Sequence, residues 1–350
     1  MSPRTCCLFA FIAALAIGGC AFSTPNDLFS DAPSYSNSSS AIEYVIHISV
    51  DGLRPDAVEL WVDHLPAYRR LRLEGAYTEN ARTAPFYGNT LPNHASQLTG
   101  RIVVGNEGHG WVRNSDFDST VTLHSNRGEY VSSVFDVTGG AGLKSLLFSS
   151  KSKFSVFHRS YEDNIDAYVY NKDTEKLTDR FVDSLRTGKY AYAFLHLRDP
   201  DTAGHRFGWR LWAWHPYGKA ISKSDRLIGQ VLAAIDADPG LRGKSAVIVT
   251  ADHGGHGHAH GPKDRRDYTI PFYVWGAGIP QGNLYNFGGE ARADPGIEQI
   301  DGLAEQQPIR NGDAANLALS LLKLDPIPGS TINADMTLLR EHTDRLRATP

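Results

Sequence analysis

From Tyr44 onward the chain alternates short apolar, β-branched runs with longer stretches in which apolar residues recur every three or four positions. The runs Val45–Val50, Ser145–Ser149, Ala191–Leu197, Ser245–Ala251 and Ile270–Trp275 read as buried strands. Leu65–Leu73, Pro216–Ile235 and Asp313–Leu322 read as helices, the second on the spacing of Ala220, Leu227, Val231 and Ile235. Strands alternating with helices predict an α/β domain, with a mostly parallel, doubly wound sheet and helices on both faces. Ligands in such sheets bind beyond the carboxyl ends of the strands. Three polar clusters stand at such ends: Asp51, Asp199 to His205, and Asp252-His253.

The third cluster is the richest, running Asp252-His253-Gly254-Gly255-His256-Gly257-His258 and then His260-Gly261. A carboxylate and an imidazole side by side at a strand end suit a metal ion better than a core, and the glycines let the backbone approach a ligand closely. Asp201 and His205 stand at i and i+4, one face of a helical turn. In Asn89-Thr90-Leu91-Pro92-Asn93-His94, Pro92 reads as a first-turn proline, with Thr90 just before the positive end of the helix. A hydroxyl there can meet a phosphate and, if metal-bound, attack it. Singly, each piece has an ordinary explanation: Asp51 and Thr90 as helix caps, His205 as a surface histidine. Jointly they point to a metallohydrolase.

In order and context, Val50-Asp51-Gly52, Asn89 to His94, Asp199 through His205 and Thr250-Ala251-Asp252-His253-Gly254 resemble the alkaline phosphatase superfamily, within it the type I phosphodiesterase/nucleotide pyrophosphatase branch. The resemblance implies an alkaline phosphatase-like fold without a large cap insertion and a site for two zinc ions, with manganese, iron or another divalent ion as the alternative metal. One zinc would be held by Asp51, Thr90, Asp252 and His253, the other by Asp201, His205 and His260, with His256 and His258 as alternatives for the last. Thr90 would be the nucleophile, forming a phosphothreonine. Asn114, placed by the His109-Gly110 step before it, would bind a phosphate oxygen. Asp199 is expected at a helix start, and His94 and His109 as structural residues.

A phosphomonoester carries an extra negative charge, which Lys153 in Ser150-Lys151-Ser152-Lys153-Phe154, or Arg113, is placed to meet. A monoesterase with the same metal core is therefore the alternative to a diesterase, and a non-catalytic zinc-binding lipoprotein is the second. A sulfatase is disfavoured, because that branch modifies a Cys or Ser where Thr90 stands. The short interval from His253 to His260, where larger diesterases carry a long insertion, implies an open, compact site.

With 41% hydrophobic and 21% charged residues, the 350-residue chain can bury a sizeable core. Its net charge of −4 leaves no basic footprint for duplex nucleic acid, so a small phosphate ester or nucleotide is the expected partner. Arg4, the apolar run Cys6 to Ile17, and Ile17-Gly18-Gly19-Cys20 resemble a bacterial lipoprotein signal with Cys20 as the lipidated residue. Residues 1–19 then form the signal, 20–43 a Ser/Pro-rich tether, 44–328 the catalytic domain and 329–350 a C-terminal tail. The expected location is the bacterial periplasm or cell envelope, with a lipid anchor in the membrane. The other cysteines, Cys6 and Cys7, fall in the part removed, so the mature chain would hold no disulfide.

Overall fold

The computed structural model describes residues 41–340, apart from 213 and 303, together with residue 344. The expected export signal, Cys20 and nearly all of the expected tether lie outside the described residues. Eight strands form one sheet: β1 (Tyr44–Val50), β2 (Ala76–Arg82), β3 (Lys144–Ser149), β4 (Ala167–Tyr170), β5 (Tyr190–Leu197), β6 (Ser245–Thr250), β7 (Thr269–Gly276) and β8 (Gly282–Asn283). Their order is β4-β3-β5-β1-β6-β7-β2-β8. The first five of that order run parallel, and β7 is antiparallel to both β6 and β2. Every residue of β6 and all but Tyr44 of β1 are buried, which is why both read as mostly apolar runs without Asp, Glu, Lys or Arg. The sequence reading did not include β2. It reads Ala-Tyr-Thr-Glu-Asn-Ala-Arg and is only partly buried near the sheet edge, so no apolar run marks it.

Helices cover both faces. Pro66–Glu74, Thr174–Gly188 and Pro216–Ala237 pack together in one layer, and Thr90–Thr99, Val134–Gly140 and Asp313–Leu321 in the other. The first of the second set begins at Thr90, not Pro92. Helix N–H groups of the first turn have no intrahelical acceptor, so a proline is tolerated inside that turn. The stretch from 329 onward, expected as a tail, keeps contact with the domain: Thr331 and Ile332 donate to the Gly100 carbonyl at 2.8 and 2.7 Å, and Leu338 and Leu339 are buried. Among the described residues no helix is long and apolar enough to cross a membrane.

Register brings the polar clusters together. Ser49 of β1 lies beside His196 of β5 on one side and Thr250 of β6 on the other. Asp51, the start of the helix Asp199–Phe207, and Asp252 therefore emerge from three adjacent parallel strands at the same end of the sheet.

Candidate metal centre

The main chain ties these three ends to one another. Asp51 N–H donates to the Leu197 carbonyl, and the Asp51 carbonyl accepts from Asp201 N–H, both at 2.9 Å. Gly52 N–H donates to Asp252 Oδ1 at 3.2 Å. Gly52 has φ +73°, and a Cβ there would sit 2.8 Å from Asp201 Cα, so only glycine lets the strand end and the helix start meet.

Two groups of ligand-type atoms result. In the first, Asp201 Oδ1 lies 3.2 Å from His205 Nε2 and 3.8 Å from His260 Nε2, and the two Nε2 atoms are 3.2 Å apart. In the second, His253 Nε2 lies 3.5 Å from Asp51 Oδ1, 3.3 Å from Asp252 Oδ2 and 3.5 Å from Thr90 Oγ1. His253 borders both groups, since its ligand atoms also fall within 4.8 Å of those of Asp201 and His260.

The donor set fits divalent cations. His205, His253 and His260 each point Nδ1 at a main-chain carbonyl, those of His258, Gly254 and Gly88 at 3.0, 2.8 and 2.5 Å. An Nδ1–H so engaged leaves an Nε2 lone pair facing the carboxylates. Asp51 Oδ1, Asp201 Oδ1 and Asp252 Oδ2 are buried without a hydrogen bond, and a buried carboxylate oxygen without a partner is costly. Lone pairs and anionic oxygens facing one another are the arrangement that a cation stabilises.

Charge in the site is unevenly held. Burial opposes ionisation of Asp51, but Lys151, His196 and His253 outweigh it and hold its carboxyl well below the usual range. Burial, together with the neighbouring Asp51, pushes Asp252 well above it. Burial lowers His253, and brings His260 down to about 3 with help from His253, which favours the neutral imidazoles that ligate. The Asp201 carboxylate, 3.2 Å away, raises the half-exposed His205 instead.

Thr90 is the first residue of its helix, and Asn114 Oδ1 accepts the next N–H, that of Leu91, at 3.1 Å. Lys153 Nζ donates to the same Asn114 oxygen at 2.8 Å, so Thr90, Asn114 and Lys153 are brought to one helix end. Burial brings the Lys153 ammonium down to about 8, with Lys151 adding to the effect. The lysine nearest the hydroxyl is Lys151, which sequence reasoning passed over in favour of Lys153. Its Nζ sits 3.5 Å from Thr90 Oγ1, 2.5 Å from Asp51 Oδ2 and 2.7 Å from Asp201 Oδ2.

His196 was missed as well. Its Nε2–H donates to Asp51 Oδ2 at 2.9 Å while Nδ1 meets Ser150 Oγ at 3.0 Å. The only signal was a histidine inside an otherwise apolar strand. His94 lies beneath the site, with Nδ1–H on the Thr90 carbonyl at 2.8 Å and Nε2 near Ser49 Oγ at 2.9 Å. His109 is buried against Ser96, and Asp199 opens its helix in an ion pair with Lys223 at 2.9 Å. Of the alternatives to His260, His258 is exposed and meets the His205 carbonyl, and His256 pairs with Asp267.

A doubly wound sheet whose central strand ends carry these carboxylates and imidazoles defines an alkaline phosphatase-like fold. A wild-type alkaline phosphatase, PafA, aligns over 86% of this chain and 99% of its own with a TM-score of 0.60 at 13% identity. The chain belongs to the type I phosphodiesterase/nucleotide pyrophosphatase family, whose profile matches residues 45–266. Ectonucleotide pyrophosphatase/phosphodiesterase family member 3 of Mus musculus is 24% identical over 271 residues, covering 71% of this chain and 28% of the relative. An inactive murine ectonucleotide pyrophosphatase/phosphodiesterase 5, solved in complex with AMP, aligns over 81% of this chain and 95% of its own with a TM-score of 0.53 at 16% identity. The chain thus spans about a quarter of the length of the curated relatives it matches.

Proposed function

We propose that this chain hydrolyses phosphodiester or nucleotide pyrophosphate bonds by way of a phosphothreonine on Thr90. Asp51, Thr90, Asp252 and His253 would hold one zinc ion, and Asp201, His205 and His260 the other, with manganese as the alternative metal. The observation that carries this reading is the position of Thr90 Oγ1, on a helix start and 3.5 Å from His253 Nε2 where the two ligand groups meet. Cations bound there supply the positive charge that makes a hydroxyl acidic and stabilises a departing oxygen.

The chain's own groups do the rest. Thr90 Oγ attacks phosphorus and the ester oxygen leaves, after which water cleaves the phosphothreonine. The Asn114 amide group offers an N–H donor to an equatorial oxygen. Lys151 adds charge beside the nucleophile. A nucleotide-bearing substrate is favoured by family membership and by the relative solved with AMP. The lipid-anchored, exported setting expected from Arg4 to Cys20 belongs to the same proposal.

One observation favours the second reading, a phosphomonoesterase with the same metal core. Lys151 and Lys153 both reach the Thr90 end of its helix, where the additional charge of a monoester would fall. Comparing kcat/KM for a nitrophenyl monoester and a nitrophenyl nucleotide diester decides between the two. A monoester preferred by orders of magnitude overturns the diesterase.

A further inference from the structure

The loop from His253 to Gly261 carries ligand residues of both groups, and one carboxylate closes it. Asp267 is 1% exposed and stands in the short helix Arg265–Tyr268 that leads directly into β7. Its Oδ2 accepts Gly261 N–H at 2.7 Å, its Oδ1 meets His256 Nδ1 at 2.8 Å, and its carbonyl accepts Gly254 N–H at 2.7 Å. Both ends and the middle of the loop are thereby fixed to the short helix that leads into β7. A Cβ on Gly254 would lie 2.0 Å from the Arg266 carbonyl oxygen, so the Gly254 contact needs glycine. Inside the loop, His256 and Ala259 exchange both main-chain hydrogen bonds at 3.0 Å, and His260 then reaches the Gly88 carbonyl.

His256, Asp264 and Asp267 have the composition of a third cation site. Arg266 argues against it: its Nε and an Nη occupy both oxygens of Asp264 at 2.8 and 2.6 Å. With Asp264 neutralised, the remaining His256–Asp267 pair is a brace.

We propose that Asp267 is a positioning residue that sets His260 relative to His253 and so governs how tightly the second cation is held; this rests on the two-cation reading above. Hydrogen bonds accepted by a carboxylate are the strong ones, and residues that orient metal ligands are typically worth about 10–100-fold in metal affinity. Asp267 belongs to neither of the two ligand groups described above. It acts through the Gly261 N–H next to His260 and through His256.

The test is a titration of the metal-stripped full-length chain with Co²⁺, following its visible absorption and, by equilibrium dialysis, its stoichiometry. The wild type should bind two Co²⁺. Asp267→Ala should keep one and bind the second roughly 10–100-fold more weakly. Asp267→Asn, which retains one acceptor, should fall between. If circular dichroism shows Asp267→Ala unfolded, Asp267→Asn decides. Two Co²⁺ bound with wild-type affinity by a folded variant overturn the positioning role and leave the proposed function standing. A wild type that binds no Co²⁺ overturns both.

Discussion

The imidazoles of His253 and His260 stack with centroids 3.6 Å apart and planes 14° from parallel. One faces Asp51 and Asp252, the other Asp201 and His205, so this pair is the wall between the two ligand groups. Replacing His260 by Ala should lower bound zinc from two per chain to one, whereas His258→Ala should leave two. Metal analysis of the dialysed variants checks both. Loss of a zinc from His258→Ala instead would move the ligand by two positions.

Thr90 is buried at 1% exposure but contributes only one oxygen to its ligand group. Thr90→Ala should therefore keep most of the bound metal and lose turnover by at least about 10³-fold, as expected for removal of a nucleophile. Metal content and diester hydrolysis measured on the same preparation provide the check. Unchanged hydrolysis would sink the phosphothreonine mechanism.

Lys153 reaches the helix end through Asn114, at the periphery of the site. Lys153→Ala should cut kcat/KM for a nitrophenyl monoester by about tenfold, equivalent to ~1.4 kcal/mol, and change the diester by much less. Equal losses on both substrates would remove the argument that this lysine answers the extra monoester charge.

Away from the site, burial pushes the Asp225 carboxyl up to about 6, although Oδ1 accepts Tyr68 N–H at 2.9 Å. The folded protein holds that proton more tightly than the unfolded chain, whose carboxyl titrates near ~4. Stability linked to Asp225 is therefore greatest below about 4 and declines as pH rises towards about 6. Asp225→Asn, which can still accept from Tyr68, should melt a few degrees higher than wild type at pH 7.5 and at the same temperature at pH 4. Thermal unfolding at the two pH values tests this, and a variant less stable at pH 7.5 contradicts it.

The central strands were legible because burial on both sheet faces favours a run of apolar residues, as in Ala246–Val249. Asp51, Asp252 and His253 were legible for the same reason, standing where those runs stop. Strand β2 was not, because half-exposed positions near an edge admit Glu79 and Asn80. Lys151 and Lys153 differ by two positions, and nothing local tells which reaches Thr90; the turn after β3 and the short helical turn Ser152–Phe154 decide it. His196 and Asp267 act through partners far along the chain or through main-chain groups, and composition carries no mark of either.

Strand β1 precedes the other seven strands, yet it pairs with β5 and β6 and not with β2, the next strand in sequence. Its contacts are long-range, and loop closure of that kind makes folding slow. Asp51 consequently meets Asp201 and Asp252 only after most of the chain is available. A cation that needs all three carboxylates would therefore be loaded only once β1, β5 and β6 have been assembled side by side.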